Sequence, residues 1–334
     1  MLLPEPRGPL TQALVDALRA GDVDAIPAPP PPPADPLTDD DLQLALWVLF
    51  ELHYRGFADV GPQWEWEPAA IALRRALETI LLDALRREVD VPASKRPVAD
   101  RLRELVESDD GPQLSKFLQT EADARQFTEF AVHRSIYQLK EADPHSWALP
   151  RLSGRAKAAL VEIQTDEYGN GELRRMHSEL YRGMLRGLGL DDTYGAYLDA
   201  VPGVTLALSN VMSLFGLRRE LRGALVGHLA AYEMTSSTPC RRYAKGLRRL
   251  GGDDATCRFF DEHVTADALH EQLAAHDLCG GLAEVEPELT EDIVFGAAAC
   301  LYVDVRFAEH VLGAWSDGRS SLCREVEDGF AVAS

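Results

Sequence analysis

From Leu114 almost to its end, the chain places apolar residues at helical spacing, and no stretch alternates apolar and polar residues long enough to make a half-buried strand. Such a pattern folds as helices that bury one stripe each against their neighbours. The expectation is an all-α protein, most of it one bundle. Helices are predicted over residues 118–142, stopped by Asp143 and Pro144, and over 156–167, 177–186, 194–201, 205–215, 218–237, 239–250, 254–277 and 287–315. Upstream, helices are predicted over 41–54, 68–88 and 97–106, the first opened by a cap at Thr38 or a neighbouring aspartate. Residues 1–36 read as a flexible tail: a short amphipathic piece at 10–18, then a proline-rich run ending in Pro29 to Pro33.

Composition narrows the function. A net charge of −20 argues against nucleic acid and anionic membranes, which both call for basic patches. The N-terminus lacks the charged and apolar regions of a signal peptide, and the weakly polar stretch 201–217 is interrupted by Pro202, Gly203, Ser209, Asn210 and Ser213. Five cysteines at wide spacing, none in a C-x-x-C pair, fit reduced thiols in a cytoplasm better than disulfides or a zinc ribbon.

Seven potential metal ligands lie along the second half: Glu141, Glu167, His177, Glu233, His263, Asp267 and His270. The last three share one helix face, and His263 and His270 stand roughly 10 Å apart along the axis. That is far for two ligands of one ion and suits two ions side by side, with Asp267 between. Carboxylates mixed with imidazoles favour iron or manganese and point to oxygen chemistry. Glu141 brings Tyr137 and Arg134 on its own helix face, and it sits at a negative helix end that a cation would offset. Glu167 and His177 would point about 80° apart on one straight helix, but Gly169, Asn170 and Gly171 interrupt it and can re-aim the chain. Glu233 is flanked by Ala230, Ala231 and Met234, where a carboxylate is costly to bury unless paired or metal-bound, and Ser236 and Ser237 share its face. The remaining histidines, His53, His133, His145, His228, His276 and His310, read mostly as structural, His145 alone lying close enough to Glu141 in the sequence for an outer role to be considered.

The segments LKEADPH, EYGNGELRRMH, HLAAYEMTSSTPCRRY and FFDEHVTADALHEQ together resemble the haem-oxygenase-like dimetal oxidases, also labelled iron-containing redox enzymes. The similarity runs over residues 127–277, with a related lead-in at DLQLALWVLFELHYRGF. It implies a haem-oxygenase-like helical domain over 113–334 without haem, preceded by a helical lead-in over 37–112 that packs on it. It also implies two Fe(II) ions (manganese being an alternative in one site) with O2 as co-substrate. By position, Glu141, His177 and His270 would hold one iron and Glu233, His263 and Asp267 the other, with Glu167 shared.

The function so implied is a non-haem diiron oxidase or oxygenase working through a peroxo state on an amine or amino acid. Tyr137 and Arg134 are the expected substrate or outer contacts, with Ser236 and Ser237 beside them. The alternatives are a fatty-acid oxidative decarboxylase and a non-catalytic iron-binding or redox-sensing protein. Expected partners are a small-molecule substrate and an electron donor, with neither nucleic acid nor membrane; a homodimer through an exposed apolar face is the oligomer considered.

Overall fold

The computed structural model describes residues 1–326, apart from the side chains of residues 265–269. No strand occurs among the described residues, and none of their helices is long and apolar enough to cross a membrane. The N-terminal part comprises α1 (Pro9–Ala20), α2 (Asp40–Glu51), α3 (Pro68–Glu88), α4 (Val98–Glu107) and α5 (Leu114–Thr120). The middle holds α6 (Ala124–Gln138), the short α7 (Asp143–Ser146), α8 (Gly154–Glu167), α9 (His177–Gly187) and α10 (Gly203–Leu217). The C-terminal part is α11 (Arg222–Thr235), α12 (Ser237–Arg249), α13 (Asp254–Gln272), α14 (Gly281–Val285) and α15 (Thr290–Ser316).

The stretch 201–217 that is too interrupted for a membrane is the centre of the bundle. Nearly all of α10 is buried, and it packs on α2, α6, α11 and α15. Between α13 and α14 the chain widens into a π-helical segment, Leu273–Gly280, which lies against α8 and α11. The residues expected as one helix over 254–277 are therefore an α-helix and a π segment. Residues 194–201 form turns ending in a 3-10 turn, Leu198–Ala200, and not an α-helix.

Residues 1–36 are not a free tail. Leu10, Leu14, Val15 and Leu18 of α1 are buried in the common core, and α1 packs on α2. The Asp41 carboxylate of α2 accepts hydrogen bonds from the backbone nitrogens of Leu10 (2.9 Å) and Thr11 (2.8 Å), so the start of α1 is capped from another helix. The proline-rich run is the extended link between α1 and α2. Asp39 caps α2, accepting from the Leu42 nitrogen at 2.8 Å.

The expected helix over 118–142 is broken twice, and the second break matters most. α6 ends at Gln138, and Lys140, Glu141 and Ala142 form a tight turn in which Ala142 takes a left-handed φ of 72°. A non-glycine residue is strained there by about 1–2 kcal/mol. The turn is pinned by Lys140, fully buried, whose ammonium lies 3.5 Å from Glu51 and 4.4 Å from the centre of the Tyr54 ring.

Helices α11 and α15 approach through glycines. A methyl group on Gly227 would overlap the Ile293 carbonyl oxygen, and one on Gly296 would overlap that of Ala224. Both obstacles are backbone, which cannot swing aside. Gly227→Ala is expected to cost about 2 kcal/mol by forcing the helices apart, measured as a shift in the denaturant midpoint.

Candidate metal centre

Five helix ends and faces converge on one buried cluster. The turn after α6 supplies Glu141, and the last residue of α8 supplies Glu167. The first residue of α9 supplies His177, while α11 supplies Glu233 and α13 supplies His263 and His270. All six side chains are buried or nearly so. Ligand atoms of Glu141, Glu167, His177 and His263 lie within 4.8 Å of one another, and so do those of Glu167, Glu233 and His270. Glu167 is common to both groups. The side chain of Asp267 lies outside the described residues.

Glu167 and His177 meet because of the turn between them. Gly169, Asn170 and Gly171 have φ of 63°, 55° and 80°, three left-handed residues in succession. A methyl on Gly169 would also stand 2.5 Å from the backbone of Arg175 and Met176, immediately before His177. Only glycine fits there. The result brings His177 Nδ1 to 2.9 Å from Glu167 Oε2.

The pairing within the cluster differs from the allocation implied by the family resemblance. His263, not His270, joins Glu141 and His177: its Nε2 is 3.5 Å from Glu141 Oε1, and its ring centre is 4.4 Å from that of His177. His270 instead faces Glu233, Nδ1 to Oε2, at 3.2 Å. The reason is the course of α13, which packs on α9 and on α11. Two turns separate its histidines, so each reaches a different neighbour.

The electrostatics follow from this crowding. Burial alone would raise Glu167, but His177 and the other two imidazoles outweigh it and hold the carboxyl down at about 2. Burial would lower His270, but Glu233, Glu167 and Asp166 push it up to about 9. His177 and His263 are also raised, each against its own desolvation, chiefly by Glu167 and Glu141 respectively. Burial raises Glu141 despite His263. The cluster thus binds protons where a cation is absent.

The donor set fits transition-metal binding. Buried Glu141 Oε2, His177 Nδ1 and His270 Nδ1 have no aligned hydrogen-bond partner, although carboxylate oxygens stand 2.9 and 3.2 Å from the two nitrogens. Ligand atoms each about 2.1 Å from one ion and about 90° apart lie roughly 3 Å from each other, so these ion-pair distances are also compatible with a shared ion. Hard carboxylates with imidazoles suit iron or manganese.

A cavity of about 560 Å³ opens on the cluster and is lined by Glu141, Glu167, Glu233 and His263 at the metal-binding wall. Tyr137, Tyr232 and Tyr243 line it too, and Ser236 and Ser237 stand at its wall. Arg134, also on the wall, is bound to Asp304 at 2.7 Å and lies over the Phe307 ring at 4.8 Å. Its charge is therefore met by Asp304 of α15 rather than by Glu141. Burial, with Glu141 nearby, pushes the Tyr137 phenol well up, so it stays protonated.

Sequence reasoning missed two features. His145 and His228 form a buried pair, Nε2 to Nδ1 at 3.2 Å, with burial lowering both. His145 lines the cavity, while His228 shows no partner pattern in the sequence because its partner comes from another helix. Asp166, 3.4 Å from His270 Nε2, is overshadowed by the more conspicuous Glu167 beside it. Its proximity to a histidine on α13 is visible only in three dimensions.

The model of the iron-containing redox enzymes matches residues 128–305. Over 189 residues, 55% of this chain, the protein is 28% identical to the nitrosourea synthase of Streptomyces achromogenes subsp. streptozoticus. The match covers 40% of that relative, so the chain spans well under half the length of the curated protein it resembles. The family match takes in Glu141, Glu167, His177, Glu233, His263 and His270 and covers more than half of the chain, which therefore belongs to the iron-containing redox enzyme family.

Proposed function

We propose that this protein is a non-haem oxygenase that uses two ferrous ions and O2 to oxidise a small nitrogen-bearing substrate. The observation that carries the reading is Glu167, a buried carboxylate common to two ligand groups on the wall of a cavity. Glu141, His177 and His263 would hold one ion and Glu233 and His270 the other, with Glu167 shared. When bound, an iron pair supplies the reduction of dioxygen, which amino-acid side chains alone lack.

The chain's own residues do the rest. The carboxylates would hold the cations in a buried site, where water screens charge little. Phe259 fixes His263 by accepting its Nδ1 proton at 2.8 Å. The protonated Tyr137 phenol gives the cavity a hydrogen-bond donor beside Glu141. The Arg134–Asp304 pair presents both signs of charge to whatever enters. That polar wall, together with a relative named for making a nitrosourea, favours an amine or amino acid over a fatty acid. The test is anaerobic Fe(II) loading followed by rapid mixing with O2. A transient visible absorption requiring about two irons per chain, altered by amines or amino acids, supports the reading. Bound iron that never consumes O2 with any compound would leave a binding or sensing protein.

Metal uptake should depend on pH with a definite sign. A metal ion takes only neutral imidazole, and His270 holds its proton up to about 9 in the metal-free protein. Affinity for Fe(II) or Co(II) should therefore rise from pH 6.5 to about 9, by up to about tenfold per unit for each proton displaced, and then level off. Metal-free stability should move the opposite way. The raised pKa stabilises the fold below 6.5, and that contribution is lost as pH climbs through about 9. Titrations and thermal melts across this range check both.

A further inference from the structure

The two histidines of α13 present opposite nitrogens to the cluster. His263 bonds through Nδ1 to the Phe259 carbonyl oxygen at 2.8 Å, which makes Nδ1 the protonated nitrogen and leaves Nε2 facing Glu141. His270 is turned the other way. Its Nδ1 faces Glu233 at 3.2 Å, and its Nε2 stands 3.4 Å from Asp166 Oδ2, an ion-pair contact longer than a usual hydrogen bond.

Asp166 and Glu167 are neighbours at the end of α8, and successive side chains on a helix diverge by about 100°. Glu167 turns inward with its side chain 9% exposed, while that of Asp166 stays on the rim at 36%. The rim carboxylate is itself held. The Asn170 side-chain amide donates to Asp166 Oδ1 at 3.2 Å, from a backbone position at φ 55° that asparagine tolerates better than most residues. Each oxygen of Asp166 thus has a separate partner.

We propose that Asp166 is the positioning residue of the Glu233 half of the centre: it accepts the Nε2 proton of His270 and fixes Nδ1 as the metal-binding nitrogen, while Asn170 holds Asp166 in place. The inference rests on the two-ion reading of the centre. A carboxylate behind an imidazole sets its tautomer and ring plane and strengthens it as a donor. His263 is oriented by a neutral carbonyl, so among the described residues the Glu233 half alone of the two α13 histidines has a carboxylate behind its imidazole. Asp166 therefore acts on one ion and not on both.

The test is an anaerobic titration of the metal-free, full-length protein with Co(II), followed by visible absorption. Wild type should take up two ions. Asp166→Asn should weaken one of the two steps by about 10–100-fold, leave the other unchanged, and melt at the wild-type temperature. Asp166→Glu should restore much of the lost affinity. Asn170→Gly, which keeps the left-handed backbone but removes the amide, should weaken the same step by less. Two unchanged steps in Asp166→Asn would overturn the proposal. So would equal weakening of both steps with a lowered melting temperature, which marks a merely structural residue. Fewer than two ions bound by wild type would instead overturn the two-ion reading, and this inference with it.

Discussion

Glu167→Ala is expected to abolish binding in both halves of the centre at once. Among the described residues each other candidate ligand belongs to one group, so its loss should weaken one ion first; Glu167 stands within 4.8 Å of the ligand atoms of both. Loss of a carboxylate behind a ligand costs about 10–100-fold in metal affinity, and loss of the shared ligand itself should exceed that for both ions. The O2-dependent turnover proposed above should fall to background. The metal-free protein is affected as well. His177 has Glu167 at 2.9 Å, so without it the imidazole should lose its raised pKa and titrate lower. Metal stoichiometry and the His177 titration, followed by NMR, check the two halves separately. One ion retained at wild-type affinity in Glu167→Ala would show that the carboxylate is not shared.

Deleting residues 1–36 should cripple folding, not merely shorten the chain. Four core side chains, Leu10, Leu14, Val15 and Leu18, leave with α1, each burying surface worth roughly 1.5–3 kcal/mol. The exposed face of α2 would then be an apolar patch, an invitation to aggregate. Arg7 adds a long-range tie, donating to the Leu198 carbonyl at 2.6 Å. Size-exclusion chromatography and thermal melts decide the matter, and a monomeric truncate with wild-type melting would mean that α1 contributes nothing.

This segment also shows where sequence reading stops. Its amphipathic helix is visible, but the proline run after it has the composition of a tail, and nothing local says that Asp41 caps α1 from the next helix. Helical periodicity is legible because each helix carries its own record of it. The break at Lys140 to Ala142 is not, since these residue types are good helix formers and alanine rarely takes a left-handed φ. Among the ligand candidates, residue type and spacing pick out six that the fold brings into one cluster. Which histidine faces which carboxylate is not legible, because that depends on how α13 crosses α9 and α11. The interruption at Gly169 to Gly171 is the most informative local signal, since its glycines allow a backbone path that other residues resist.

The π-helical segment Leu273–Gly280 has a consequence for how the protein tolerates change. Each wide turn carries one residue more than an α turn, so the chain beyond it is rotated by about 100° relative to an unbroken α-helix. The angular phase of α13, which aims His263 and His270, is thereby uncoupled from that of α14 and the helix after it. A residue gained or lost in this segment can be taken up by winding or unwinding a wide turn, leaving the aim of both histidines as it was. The C-terminal scaffold is free to drift in length while the metal-binding register is inherited unchanged.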